Sequence, residues 1–210
     1  FKNQLGVFKE PLEVFINPDF LKTLPARQLK SGYAEAVKHW LIADENMFRE
    51  QRHIGLFTED WTEIIQNSIS IKEKIVEADP LEGGLRKVLN FGHTIGHAVE
   101  SFFLEKQGQE LLHGEAVAMG MICESYLSMK KELLEQRELD KIETFIISIF
   151  EKVKLQPDDI SKIAQLTLQD KKNSSGSINC TLLHGIGTAV YDKPVSLLEI
   201  EESLRYYQLL

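Results

Sequence analysis

Asn90-Phe91-Gly92-His93-Thr94-Ile95-Gly96-His97-Ala98-Val99-Glu100 is the densest stretch of this chain, and its reading decides the fold. On a helix, His93 and His97 are four residues apart and project from one face. Gly92 and Gly96, also four apart, leave a smooth strip where another backbone or a ligand approaches closely. Two glycines inside a helix cost about 1 kcal/mol each relative to alanine. Tight helix packing is one offset for that cost, and a bound ligand is another.

The pattern on either side is also helical. From Pro25 onward, Ala34, Val37, Leu41 and Ile42 recur at three- and four-residue spacing, with Ser31-Gly32 an awkward pair inside the run. A second helix starts near Thr58 and runs to Asp79, and a third carries Leu85 to Phe103. Another opens at His113-Gly114 and continues through Met129, and two more cover about 135–153 and 157–169. Asn17-Pro18 makes a helix start. The run Leu12–Ile16 reads as a short strand after Pro11. Ser177–Leu183 and Thr188–Tyr191 read as a hairpin whose turn glycines, Gly185 and Gly187, supply positive φ. The expected class is mainly α, a multi-helix domain with a short N-terminal strand and a late β-hairpin.

Composition limits the function. Of 210 residues, 43% are hydrophobic and 27% charged, the mix of a folded globular chain rather than a disordered or collagen-like one. No window approaches about 18 uninterrupted apolar residues, so no membrane span is expected. Twenty-four basic against 32 acidic residues give −8, which argues against a sequence-independent nucleic-acid binder. An anionic small molecule stays compatible, because a few cations gathered in one cleft outweigh the global charge locally. Cys123 and Cys180 stand in no metal or redox spacing and read as buried thiols in a reducing cytoplasm.

A histidine pair on a helix signals metal. The zinc-protease pattern fails, because Thr94 stands where its glutamate base is required. His113 opens the next helix, and antiparallel neighbours bring it back toward His93. A catalytic zinc site wants three protein ligands and an open position. Glu35, among small apolar residues in Gly-Tyr-Ala-Glu-Ala-Val-Lys, is a costly carboxylate unless paired or metal-bound, and Lys38 is the competing salt-bridge partner. Lys72, Arg86 and the pair Lys171-Lys172 are candidate anion binders. His39, His53 and His184 have no partner pattern and read as structural or surface residues.

Taken in order, Lys2-Asn3, GYAEAVKHW, the Lys72 segment through Asp79 and EGGLR, NFGHTIGHAVE, LHGEAVAMGM and the late DKKN resemble the landmarks of 3-dehydroquinate synthases, over essentially the whole chain. The resemblance implies the C-terminal part of a zinc- and NAD-dependent sugar phosphate cyclase, with cobalt an alternative metal. Such an enzyme converts 3-deoxy-D-arabino-heptulosonate 7-phosphate into 3-dehydroquinate and releases phosphate. It implies Glu35, His93 and His113 as metal ligands. Asn3, Lys38, Lys72, Arg86, Asn90, His97 and one of Lys171 and Lys172 would lie around the substrate, with His97, Lys38, Lys72 and Arg86 catalytic. Asp79 and Glu82 would orient the basic groups, and Lys2 would approach the nucleotide. A cytoplasmic homodimer is implied, with a small phosphorylated keto-acid sugar as partner and neither nucleic acid nor membrane.

On this resemblance, residues 1–17 are the tail of an α/β NAD-binding domain that is missing here, and 18–210 form the metal- and substrate-binding domain. The chain alone is then expected to be inactive, and its first strand to lie unpaired, an aggregation hazard. Three alternatives remain. A cyclase of glucose 6-phosphate or sedoheptulose 7-phosphate would remodel the carboxylate-holding Lys72 and Arg86. A metal-dependent glycerol or alcohol dehydrogenase needs no phosphate-binding lysines. A non-catalytic helical module would use its histidines for packing or structural metal.

Overall fold

The computed structural model describes residues 11–56, 61–169 and 178–210. In these the chain forms eight α-helices and one two-stranded sheet. The helix α1 spans Ala26–Ala43, and Asp44 ends it while its carboxylate accepts from the Met47 N–H, capping α2 (Glu45–Ile54). One helical run in the sequence is thus two helices. The helix α3 spans Thr62–Ala78; the expected start near Thr58 lies outside the described residues. Next come α4 (His93–Leu104), α5 (His113–Lys130), α6 (Gln136–Ile149) and α7 (Pro157–Leu166). The antiparallel strands β1 (Ile178–Leu183) and β2 (Ala189–Val195) follow, then α8 (Leu197–Leu209).

The fold is organised around α5, which is buried on all sides from Ala116 to Ser128 and packs against α1, α4, α6, α8 and β1. A helix apolar all round is one that belongs in a core. Glycines decide how close its neighbours come. A Cβ at Gly120 would run into the Gly92 carbonyl oxygen, and one at Gly96 would stand 3.1 Å from the Val117 Cα. On α1, Ser31 has the same relation to Gly114: its backbone lies where a Gly114 side chain would go. The Ser31 hydroxyl accepts from the Gly114 N–H at 2.9 Å, satisfying a free donor at the start of α5. Of the pair that looked awkward inside α1, Ser31 is a contact surface and Gly32 faces open space.

Three expectations need correcting. Leu12–Ile16 is not a strand: among the described residues no strand pairs with it, and Leu12, Val14, Phe15 and Ile16 are all exposed. Leu85–Phe103 is not one helix. A 3-10 turn over Leu85–Asn90 ends at Phe91, and Gly92 takes φ +76°, so His93 begins a new helix in a new direction. Of the two glycines, only Gly96 is inside the helix. The third correction is an omission, α8, announced by Ser196, whose hydroxyl accepts from the Glu199 N–H. Gly185 and Gly187 have φ of +80° and +86° in the hairpin turn, as expected. Cys123 and Cys180 are both buried and form no disulfide with each other. No helix among the described residues is long and apolar enough to cross a membrane.

Gly120→Ala is expected to destabilise the fold by about 2 kcal/mol or more, because a backbone contact has no rotamer to yield. Gly32→Ala, inside α1 with open space where its Cβ would go, is expected to stabilise it by about 1 kcal/mol. Equilibrium urea unfolding measures both, and equal effects would refute the glycine-contact account.

Candidate metal and anion site

Glu35 comes from the middle of α1, His93 from the first residue of α4 and His113 from the first residue of α5. The Glu35 Oε1 lies 3.5 Å from the His93 Nε2 and 3.7 Å from the His113 Nε2. Its other oxygen, Oε2, accepts from the Lys38 ammonium at 2.7 Å. Glu35 thus has its expected salt-bridge partner on one oxygen, while the other faces two imidazoles. Oε1 itself is buried and without a hydrogen-bond partner. An orphaned buried carboxylate oxygen facing two imidazole nitrogens calls for a cation.

The two rings are oriented for that role. His93 Nδ1 is 3.0 Å from the Phe91 carbonyl, and His113 Nδ1 is 3.1 Å from the Glu100 Oε2. A carbonyl and a carboxylate oxygen only accept, so each Nδ1 carries the proton and each Nε2 keeps its lone pair. Tetrahedral zinc with bonds of 2.0–2.2 Å sets its ligand atoms about 3.4 Å apart, close to the spacing of Glu35 from either ring. The donor set therefore fits such an ion. His97, four residues after His93, is exposed, its ring centroid 5.1 Å from that of His93 and 5.7 Å from that of His113. The three histidines alone also bring one nitrogen each within 4.8 Å of one another. The buried, unsatisfied Glu35 oxygen favours Glu35 over the exposed His97 as third ligand.

Charge follows the geometry. Burial opposes ionisation of Glu35, but the approach of the His113 and His93 rings and the Lys38 charge outweigh it and hold the carboxyl far below its ordinary range. Burial lowers the His93 pKa, while the Glu35 contact raises that of His113.

A cavity of about 230 Å³ opens beside the trio, walled by Glu35, Lys38, His39, Lys72, Glu82, Arg86, Leu89, Asn90 and His93. Lys38 comes from α1, Lys72 from α3, and Arg86 and Asn90 from the 3-10 turn. Asp79 shapes that turn from below. Its carboxylate accepts from the backbone N–H groups of Arg86, Gly84 and Gly83, which hold its pKa below the usual range. Arg86 itself donates to the Pro80 carbonyl at 2.8 Å. Glu82, at φ +57°, accepts from the Asn90 side chain at 2.9 Å. A non-glycine residue in the left-handed region is uncommon, and here it holds a cavity side chain in place. Lys2, Asn3, Lys171 and Lys172 lie outside the described residues.

Three residues at this site were not singled out in the sequence. His39 is buried in the cavity wall, its Nδ1 2.6 Å from the Ser68 Oγ. Glu100 holds His113, and its place seven residues after His93 put it on the same helix face. Glu124, fully buried on α5, accepts from the Gly92 and Ile95 N–H groups and so caps the helix that begins with His93. His53 and His184 are exposed, as expected.

A family model described as 3-dehydroquinate synthase C-terminal matches residues 32–173. The 3-dehydroquinate synthase of Parabacteroides distasonis is 39% identical over 210 residues, covering 99% of this chain and 59% of its own length. That of Campylobacter concisus is 34% identical over 207 residues, with coverage of 99% and 59%. This chain thus spans about three-fifths of the length of these curated relatives. Among solved structures, ValA (2-epi-5-epi-valiolone synthase) from Streptomyces hygroscopicus subsp. jinggangensis 5008, with NAD+ and Zn2+ bound, superposes with a TM-score of 0.82. It is 27% identical, and the match covers 98% of this chain and 58% of that one. A 2-deoxy-scyllo-inosose synthase complexed with carbaglucose-6-phosphate, NAD+ and Co2+ gives 0.70 at 24% identity, covering 88% and 53%, a likeness of fold alone.

Burial, with the Lys38 charge beside it, pushes the His39 pKa down to about 4. Between about pH 4 and the unfolded value near 6.5, the unfolded chain then holds more protons than the folded one. Stability is complete above that window and is lost as pH falls through it, by up to about 3 kcal/mol. Urea unfolding across this range should show the slope, and His39→Asn should flatten it. An equal slope in both proteins would mean that His39 is not the group responsible.

Proposed function

This chain belongs to the 3-dehydroquinate synthase C-terminal family, and from that premise we propose that it forms the metal- and substrate-binding part of a phosphate-eliminating cyclase. The substrate in this reading is 3-deoxy-D-arabino-heptulosonate 7-phosphate and the product 3-dehydroquinate. The observation that carries it is the orphaned Glu35 Oε1 facing two Nε2 atoms, beside a cavity that holds two lysines and an arginine. The similar valiolone synthase, solved with NAD+ and Zn2+, supports the same pair of cofactors here. The remaining part of the relatives' length is where most of the nucleotide contacts would come from, so the 210 residues alone are proposed to be inactive.

Glu35, His93 and His113 are the residues that would hold zinc. When bound, zinc supplies Lewis acidity toward a substrate hydroxyl, and NAD supplies a reversible hydride acceptor. The chain's own side chains do the rest. Lys72 and Arg86 are proposed to grip the substrate carboxylate and fix its pose, with Arg86 able to make a bidentate fork. Asp79 and Glu82 keep that wall rigid, through the turn backbone and through Asn90 respectively. Lys38, buried and ion-paired to Glu35, places positive charge at the border of the metal position and the cavity. His97, exposed and with its ring 5.1 Å from that of His93, is proposed to pass a proton near the departing phosphate. Lys171 or Lys172 would complete the phosphate contacts.

The retention of both Lys72 and Arg86 favours a substrate that carries a carboxylate over sedoheptulose 7-phosphate or glucose 6-phosphate. With the N-terminal part of a full-length relative supplied, the protein should release phosphate from the heptulosonate 7-phosphate when given NAD and zinc. A chelator or His93→Ala should reduce the rate at least 100-fold, about 2.7 kcal/mol of barrier. Release only from a sugar phosphate lacking a carboxylate would overturn the substrate, and release unaffected by His93→Ala would overturn the metal site.

A further inference from the structure

Resting on the metal reading above, we propose that Glu100 is a positioning residue, fixing the tautomer and ring orientation of His113. On α4, His93, His97 and Glu100 stand at i, i+4 and i+7 and so share one helix face, turned toward the start of α5. The Glu100 Oε2 lies 3.1 Å from the His113 Nδ1. His113 is its one side-chain hydrogen-bond partner among the described residues. An ionised carboxylate has no proton to donate, so this contact requires hydrogen on Nδ1 and leaves the Nε2 lone pair pointing at Glu35 Oε1, 3.7 Å away.

The two ligand histidines are held in different ways. His93 donates to a main-chain carbonyl, Phe91, that the turn at Gly92 sets in place. Among the described residues the ring of His113 has no such carbonyl partner. It sits at the first residue of its helix, partly exposed, and a side chain from the neighbouring helix does that work instead. An anionic acceptor also makes the opposite nitrogen a stronger donor to a cation, which a neutral carbonyl does less. Glu100 thus acts on the metal position through His113 without touching the metal itself.

The test uses the 210-residue chain and two readouts: zinc affinity by competition with a chromophoric chelator, and the His113 tautomer from ring 15N shifts of the metal-free protein at a pH where the ring is neutral. Glu100→Ala is expected to weaken zinc about 10- to 100-fold and to convert His113 from the Nδ1–H form to a mixture. Glu100→Gln, whose amide oxygen still accepts from Nδ1–H, is expected to keep the tautomer and restore most of the affinity. Thermal unfolding should change little, since alanine is a good helix former at this partly exposed position. The proposal is overturned if Glu100→Ala keeps the Nδ1–H form, or if it binds zinc within twofold of the parent. If the unmodified chain binds no zinc, the metal reading fails, and the 15N shifts still decide the role of Glu100.

Discussion

Close backbone contact between three helices sets everything else in this molecule. Where α5 meets α4, Gly120 lies against the Gly92 carbonyl, and Gly96 lies against Val117; where it meets α1, Gly114 lies against Ser31. No side chain separates the helices at these points. Each of the three helices carries one donor close to such a contact, so the donor spacing is inherited from the helix packing. A larger residue at any of these glycines would widen the gap and pull the donors apart. Glu124 tightens the arrangement from the α5 side, its buried carboxylate accepting two N–H groups at the start of α4, where the helix dipole favours negative charge.

The local electrostatics depend on that rigidity. Glu35 divides its two oxygens between a buried ammonium and the face of two imidazoles, and neither partner alone accounts for the residue. Lys38 is nearly inaccessible, and Glu35 balances its charge in a region from which water is largely excluded. The overall charge of −8 says nothing about this cavity, where Lys38, Lys72 and Arg86 face Glu35 and Glu82. Local geometry here outweighs the global balance.

How much of this was legible depends on the range of the forces involved. The four-residue spacing of His93 and His97, the small-residue strip and the reach of His113 back toward His93 follow from helical periodicity, and the structure has them. Glu35 was legible because a carboxylate among alanines needs a reason. The break at Gly92 was not: periodicity continues through the 3-10 turn, and the left-handed conformation sits where Met121 and Val117 leave no room for a side chain. Leu12–Ile16 has strand-forming residues but no partner, and propensity cannot make a ladder alone. His39 was read as lacking a pattern because its partner, Ser68, comes from a different helix. Glu100 is hidden for a similar reason: periodicity puts it on the His93 face of α4, but its meeting with His113 depends on how α5 docks.

The three donors differ in how far the chain must travel to unite them. His93 and His113 are twenty residues apart and joined by one short connection, whereas Glu35 is seventy-eight residues from His113. Closing the longer loop carries an extra entropic penalty of roughly 1 kcal/mol and makes its contact the later one to pay off during assembly. The imidazole pair is therefore the local half of the site and the carboxylate the remote half. The α4–α5 pair brings the two rings together, and the docking of α1 adds the anionic donor. Completion of the site then reports on the docking of α1, so an ion that needs all three donors would stabilise the arrangement in which α1 is docked.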